Sequence, residues 1–310
     1  MSKLVLLPNP RSFTTSIHDY LTHKYHIYDV INNIKEPAFL VRDLLMKEKL
    51  RLFLLGFYSQ SNRTAFIDAS QIYSQKNIAD KIVGKDYHLI FPTRSLTKKY
   101  ESLLNFLHQL SNIKDDNIEL LKYMHKYFWI KKNNLSSGIG IVFETKNISN
   151  KNDVMFDGKV VMEFFDMIKQ GDFDKLIERD IERFNSKNKP SLLKSVHNAS
   201  LLFHYIKSLD HKRIYRLNIN EEHSRQLMTA DIAKGLDNFA GLINLREKDT
   251  QYRFVHARAL SKIRQQKIIK LSSSSIDKLK KISQADQDYV EYLSSKYSIR
   301  LLNSQTRSIR

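Results

Sequence analysis

Along the first third of the chain the apolar positions switch repeatedly between two periods. Residues 3–7 form a short apolar run that reads as a buried strand. Helical spacing follows over 15–24, and a second strand-like run covers 25–30. Phe39, Leu40, Leu44, Leu45 and Leu52 recur near the 3.6-residue period and predict a helix over 38–55. Residues 64–69 and 87–91 are further strands, with Pro92 expected to end the second. The segment 95–110 then places Leu96, Tyr100, Leu103, Leu104 and Leu107 on one face of an amphipathic helix. Residues 116–126 are expected to be helical. Residues 127–132 and 138–146 predict a β-hairpin around an Asn- and Ser-rich turn, because Asn tolerates left-handed dihedrals and Ser bonds nearby backbone.

After Gly158 the texture becomes helical. Helices are expected over 160–170, 172–184, 191–209, 229–246, 254–270 and 286–296, with a polar break and capping signal at 272–275 and a frayed last dozen residues. The polar stretch 185–190, closed by Pro190, is the best linker. The predicted fold is an α/β (mixed) N-terminal layer followed by a mainly α-helical basic domain. Its expected limits are 1–150 for the mixed layer, 151–189 for an acidic helical connector, and 190–310 for the basic domain.

Composition narrows the class. Apolar residues make up 42% of the 310, enough for real cores, and eight glycines and five prolines leave little room for long flexible linkers. There is no cysteine, which removes disulfides, thiol catalysis and Cys-based zinc sites together. The longest apolar run, 50–58, is interrupted by Arg51 and is far short of a membrane span. No leader pattern precedes Pro8. The sequence therefore predicts a soluble cytoplasmic protein with no membrane partner.

Charge changes the picture most. Fifty-one Lys and Arg face 33 Asp and Glu, a net +18. The segment 186–310 carries 24 basic against 11 acidic residues, whereas 151–185 carries 6 against 9. A polyanion partner accounts most simply for such a field, since each neutralised phosphate releases condensed counterions. Between Arg253 and Lys281 the cations include Arg258, Lys262, Arg264, Lys267 and Lys270, and Asp277 is the only acid. Arg258 and Lys262 stand one helical turn apart, as do Arg264 and Lys267, so one face can track a phosphate backbone; a solvated helix face has the same pattern. Upstream, the piece from Thr229 to Leu236 resembles the first helix of a helix-turn-helix. Ala233 would sit at the helix crossing, Asp237-Asn238 would form the turn, and the recognition helix would run over 239–246, though the usual turn glycine is missing. Asn238 and Asn244 are then the base-contact candidates, with Arg246 beside them.

Two enzymatic alternatives remain open. Glu144-Thr-Lys146 closes an apolar run and resembles the second half of a PD-(D/E)xK nuclease site, in which a carboxylate holds Mg²⁺ and a lysine helps activate water; the companion Asp is not evident. The strand–helix alternation, with strand ends at Asp68 and Thr93, also fits an α/β transferase with a nucleotide-type substrate. His197, His204 and His211 fall seven apart, one stripe of a continuous helix but roughly 10 Å between neighbours, too far to share a metal. Tyr, Phe and Trp129 mix with lysines over 123–132, a pattern that suits either base stacking or a core strand. No Gly-x-x-x-x-Gly-Lys-Ser/Thr, Gly-x-Ser-x-Gly or Gly-x-Gly-x-x-Gly motif occurs. The leading expectation is a nucleic-acid-binding protein, DNA before RNA, accessory to replication, recombination or a mobile element. No cofactor is implied except Mg²⁺ under the nuclease alternative.

Overall fold

The computed structural model describes residues 3–6, 12–29, 64–68, 88–111, 129–131, 154–156, 158–186, 189, 191–208, 213–249, 252–254, 269 and 271–303. In chain order the elements are β1 (Lys3–Leu6), α1 (Thr14–Lys24), β2 (Ile27–Asp29), β3 (Thr64–Asp68), β4 (His88–Arg94), α2 (Leu96–Ser111), β5 (Trp129–Lys131) and β6 (Val154–Phe156). There follow α3 (Gly158–Gln170), α4 (Phe173–Asn185), α5 (Leu192–Val196), α6 (Asn198–Ser208), β7 (Ile214–Ile219), α7 (Arg225–Leu242), α8 (Ser273–Lys296) and β8 (Arg300–Leu301). A mixed α/β fold is therefore observed. No helix among the described residues is long and apolar enough to cross a membrane.

The chain divides into two compact units, each discontinuous in sequence. One comprises 1–95, 202–262 and 291–310, and the other 96–201 and 263–290. The first is organised by a six-stranded sheet in the order β2-β3-β1-β4-β7-β8, in which every neighbouring pair is parallel. Parallel sheets need cover on both faces, and β4 shows it: Leu89 to Thr93 are all buried. α1 contributes Ile17, Tyr20 and Leu21, the i, i+3, i+4 stripe of a half-buried helix. α7 adds Met228, Ile232, Leu236, Phe239 and Ala240 to the same core.

Several expectations are corrected here. β4 does not stop at Pro92 but continues to Arg94, with Pro92 in register with Leu217. β1 pairing ends at Leu6 opposite Ile90, so beyond that point this flank of β4 has no ladder for a proline to interrupt among the described residues. The division at 150 and 190 does not match the units. β7 lies within the stretch expected to be mainly helical and pairs with β4 over six residues, a long-range partnership that local periodicity does not encode. The end of the chain does not fray at once, since Ile299 and Leu302 are buried and β8 pairs with β7.

The second unit packs Leu96, Tyr100, Leu103, Leu104 and Leu107 of α2 against Phe164 and Ile168 of α3, Leu176 and Ile177 of α4, and Leu192, Leu193 and Val196 of α5. The expected hairpin is re-paired: β5 is antiparallel to β6, Trp129 opposite Phe156, while 138–146 lies outside the described residues. The expected linker after α4 is a short connection inside one unit, because Asp180 of α4 reaches forward to α5. Its buried carboxylate accepts hydrogen bonds from Leu192 N (2.9 Å), Leu193 N (2.8 Å) and Tyr100 Oη (2.8 Å). The expected helix over 191–209 breaks at His197, whose extended backbone ends α5. α6 then starts afresh, with buried Asp286 accepting from Ala199 N at 2.7 Å and from Asn198 Nδ2 at 2.7 Å. The three histidines therefore share no continuous helix, and His211 lies outside the described residues. The expected short helix over 286–296 is the second half of the 24-residue α8, which opens with Ser272 Oγ accepting from Ser275 N, as the capping signal predicts.

The tight helix–sheet approach in the first unit belongs to Gly235, not Ala233. A Cβ at 235 would stand 2.6 Å from Leu217 Cδ1 and 3.0 Å from Asn303 Cβ. Gly235→Ala is expected to destabilise the chain by about 1–3 kcal/mol through overpacking, read as a lower urea midpoint; an unchanged midpoint would contradict the close approach.

Asp180 generates a second prediction. Burial lifts its pKa from 3.8 to about 6, against the pull of its hydrogen bonds from Tyr100 and the α5 backbone. A carboxyl that holds its proton more tightly when folded stabilises fully below 3.8 and loses that contribution as pH rises to about 6. The loss is on the order of 3 kcal/mol. Asp180→Asn should abolish this pH dependence. It should also cost about 1–3 kcal/mol at pH 7, because the amide NH₂ faces only donors. Denaturation midpoints of both proteins from pH 4 to 7 check it, and parallel curves would refute it.

Candidate functional site

After β1 the chain's next sheet strand, β2, lies beyond β3 on one side. After β4 the next, β7, lies on the other side. The connections leaving β1 and β4 therefore diverge, and in open α/β sheets that divergence opens a crevice at the strands' carboxyl ends where ligands bind. Among the described residues the β1–β4 ladder reaches Ile90, and the β4–β7 ladder reaches Arg94 and Ile219.

The amino end of α1 faces this edge by connectivity, since β1 leads directly toward it. The residue before the helix is Phe13, left-handed at φ 60°, and its side chain offers no cap. A bulky residue held there costs about 1–2 kcal/mol. The first helical bond runs from Ile17 N to Phe13 O at 3.0 Å. The first turn holds no acid, unlike that of α4, which also lacks a cap bond but carries Asp174. The positive end of the α1 dipole is thus left without a carboxylate of its own helix. Ser12, one residue earlier, is completely buried, and its Oγ has no hydrogen-bond partner among the described residues. Such an unsatisfied group requires an explanation, and a missing ligand oxygen is one.

Arg94 joins this corner to β7. Its guanidinium lies 5.3 Å from the centre of the Phe13 ring. It also makes a two-pronged bond to Glu221, Nε to Oε2 at 2.6 Å and Nη2 to Oε1 at 2.7 Å, with both side chains largely buried. Thr93, just inside the edge, is buried with its hydroxyl near Leu217 O and Asn218 Oδ1. Backbone amides at a helix start, hydroxyls from Ser12 and Thr14, and a guanidinium are together the donors that hold phosphate oxygens. Among the described residues no group of three or more His, Asp or Glu side chains is placed to hold a metal ion.

At its other end α1 is bound to α7. Asp237 accepts from Tyr20 Oη (2.8 Å), Tyr25 Oη (2.5 Å) and Lys24 Nζ (2.9 Å). Burial, reinforced by Asp237, pushes Tyr20 up to about 12 and raises Tyr25 as well. For Lys24 burial acts downward, but its hydrogen bonds to Tyr20 and Asp237 outweigh it and hold the ammonium above its ordinary value. His23 stacks on Tyr252 at 4.8 Å.

The residues singled out from the sequence fall elsewhere. Arg258, Lys262, Arg264, Lys267 and Lys270 lie outside the described residues, as do Glu144 and Lys146. Arg246 and Arg253 are exposed in the first unit. The helix-turn-helix is corrected: α7 runs unbroken through Asp237 and Asn238, and Phe239, expected to begin a recognition helix, is fully buried. The turn fails because Asp237 is committed to α1 and the apolar stripe continues past it without interruption. Asn238 donates to Leu302 O at 3.2 Å, and Asn244 follows α7 exposed and left-handed at φ 54°. Sequence reasoning missed Ser12, Thr14 and Arg94. The available signal was an apolar strand followed within ten residues by Ser12, Thr14, Thr15 and Ser16 at a helix start. No protein-family model matches this chain, and no curated protein matches its sequence.

The Arg94–Glu221 pair is expected to matter for stability as well as position. Arg94→Ala should cost about 1.5–3 kcal/mol, the range for hydrogen bonds to charged groups. In a double-mutant cycle with Glu221→Ala most of that loss should vanish. Additive effects would mean that the pair is not coupled.

Proposed function

We propose that this chain binds a phosphate-bearing, nucleotide-type ligand at the carboxyl edge of its parallel sheet, between β1 and β4, and acts as a transferase on it. The observation that carries the reading is the completely buried, unpartnered Ser12 hydroxyl beside the uncapped amino end of α1, at the point where the strand order reverses. Phosphate oxygens would take the first-turn amides and the hydroxyls of Ser12 and Thr14. Arg94, already held by Glu221, would add positive charge on the β4 side.

A second reading retains support from charge. A net +18, with 24 of the basic residues in 186–310, favours a nucleic-acid partner, DNA before RNA. Lys280 and Lys281 are exposed on α8, although Lys278 is paired with Glu178 at 2.6 Å. The two readings are compatible, since a basic surface also attracts anionic substrates. The Mg²⁺-dependent nuclease rests on Glu144 and Lys146 alone and gains no support.

Thermal shifts with nucleoside mono-, di- and triphosphates and with inorganic phosphate test the first reading. A nucleotide at a hundred times its dissociation constant should add about 2.7 kcal/mol of stability. Ser12→Ala and Thr14→Ala should each weaken binding about tenfold, for a charge-assisted bond of about 1.4 kcal/mol. Duplex DNA titrated at several salt concentrations tests the second. A log–log slope near −4 to −5 corresponds to about five phosphates. Nucleotides without effect beside a steep DNA slope would leave only the nucleic-acid reading.

A further inference from the structure

The connection 220–224 between β7 and α7 lies at the same carboxyl edge as the anion corner. Glu221 ties it to Arg94, which lies over Phe13. Within it, His223 Nδ1 stands 2.9 Å from Asp231 Oδ2 of α7, eight residues on in sequence. A carboxylate at Nδ1 selects the tautomer with its proton there and leaves the lone pair on Nε2. Among the described residues Nε2 meets only Asn220 Nδ2 at 3.4 Å, a long contact. That amide is oriented by its other end, where Asn220 Oδ1 accepts from Glu222 N at 3.0 Å. His223 is about one-third exposed, so Nε2 stays within reach of a substrate. A base held by an orienting carboxylate, on a loop at the strand ends, is the arrangement that proton abstraction requires. The pair is not needed for packing, because both side chains are partly solvated.

With the nucleotide reading above as its premise, we propose that His223, oriented by Asp231, is the general base that activates the acceptor, a hydroxyl or amine. The acceptor's lone pair forms the new bond to the transferred group. The bond from that group to the nucleotide's leaving oxygen breaks, and its electron pair stays on that oxygen. The acceptor's proton passes to His223 Nε2, and Asp231 stabilises the imidazolium. Asp231 is the charged group bonded to the ring, and Glu221 (held by Arg94), Glu222 and Arg225 are its charged neighbours in sequence.

Ring-carbon NMR of the full chain, histidine-labelled, tests the assignment, with the His223 signal identified by its loss in His223→Gln or, should that variant not fold, His223→Asn. The probe is the nucleoside phosphate giving the largest thermal shift. Its binding should move the His223 ring-carbon signals, since its phosphates would sit within reach of Nε2. Asp231→Asn should shift those signals toward the tautomer protonated at Nε2, because the carboxylate that selects the Nδ1 proton is gone. Nucleotide affinity in His223→Gln should stay within about twofold, well under the tenfold that 1.4 kcal/mol represents, while slow transfer to water falls at least tenfold. A nucleotide that stabilises the chain but leaves the His223 ring-carbon signals unmoved, or transfer undiminished in the His223 variant, would overturn the base assignment and spare the nucleotide reading. A chain stabilised by no nucleotide would overturn both.

Discussion

β4 pairs on both sides, and the rest of the first unit depends on that. Leu89 to Arg94 match Ile214 to Ile219 residue for residue, while His88 to Ile90 match Leu4 to Leu6. A strand buried from Leu89 to Thr93 packs on both faces, so a slip of one residue from this register would set every side chain against the wrong neighbours in a close-packed core. That register brings Arg94 level with Ile219, two residues before Glu221, and so sets the corner where the guanidinium meets the carboxylate. It also makes β7 a strand at all, since 214–219 has no partner nearby in sequence.

Carboxylates surrounded by donors recur as the means of closing helix ends. Asp180 serves α5, Asp286 serves α6, and Asp237 gathers two tyrosines and a lysine between α1 and α7. Asp180 and Asp286 are buried, which costs free energy unless their hydrogen bonds are complete, and at each the bonds are numerous; Asp237 is partly exposed and links two helices instead. The amino end of α1 departs from this habit. It begins after a left-handed Phe13 with no side-chain cap and has a buried hydroxyl without a partner beside it. Local strain and unsatisfied polarity in one place have a physical explanation if an anion completes the set.

The net charge and the sheet edge bear on function at different ranges. A field of +18 acts over about a Debye length, roughly 8 Å at physiological salt, and favours anions in general. A phosphate at the proposed α1 corner would be held at hydrogen-bonding distance, where geometry selects. Attraction to polyanions and recognition of a single phosphate group can therefore coexist on one chain without sharing residues.

What the sequence determined by itself is what local periodicity and composition carry. The strands at β1 and β3, the helices α2, α3 and α4 with their buried stripes, the cap at Ser272 and the excess of positive charge were all legible. Each depends on side chains a few residues apart or on a simple count. Tertiary structure alone decided the rest. Pro92 is tolerated inside β4 because, among the described residues, the β1 ladder reaches only Ile90, and the helix over 191–209 breaks at His197 because Asp286, nearly ninety positions later, caps a new one. α7 stays whole through Asp237 because α1 supplies that carboxylate with donors, and Gly235 rather than Ala233 meets the sheet because Leu217 and Asn303 stand there. Ser12 and Arg94 became a candidate site only when the strand order placed β1 beside β4. An apolar period states which face of an element is buried but not against what, so partners distant in sequence are settled only by the packing that joins them.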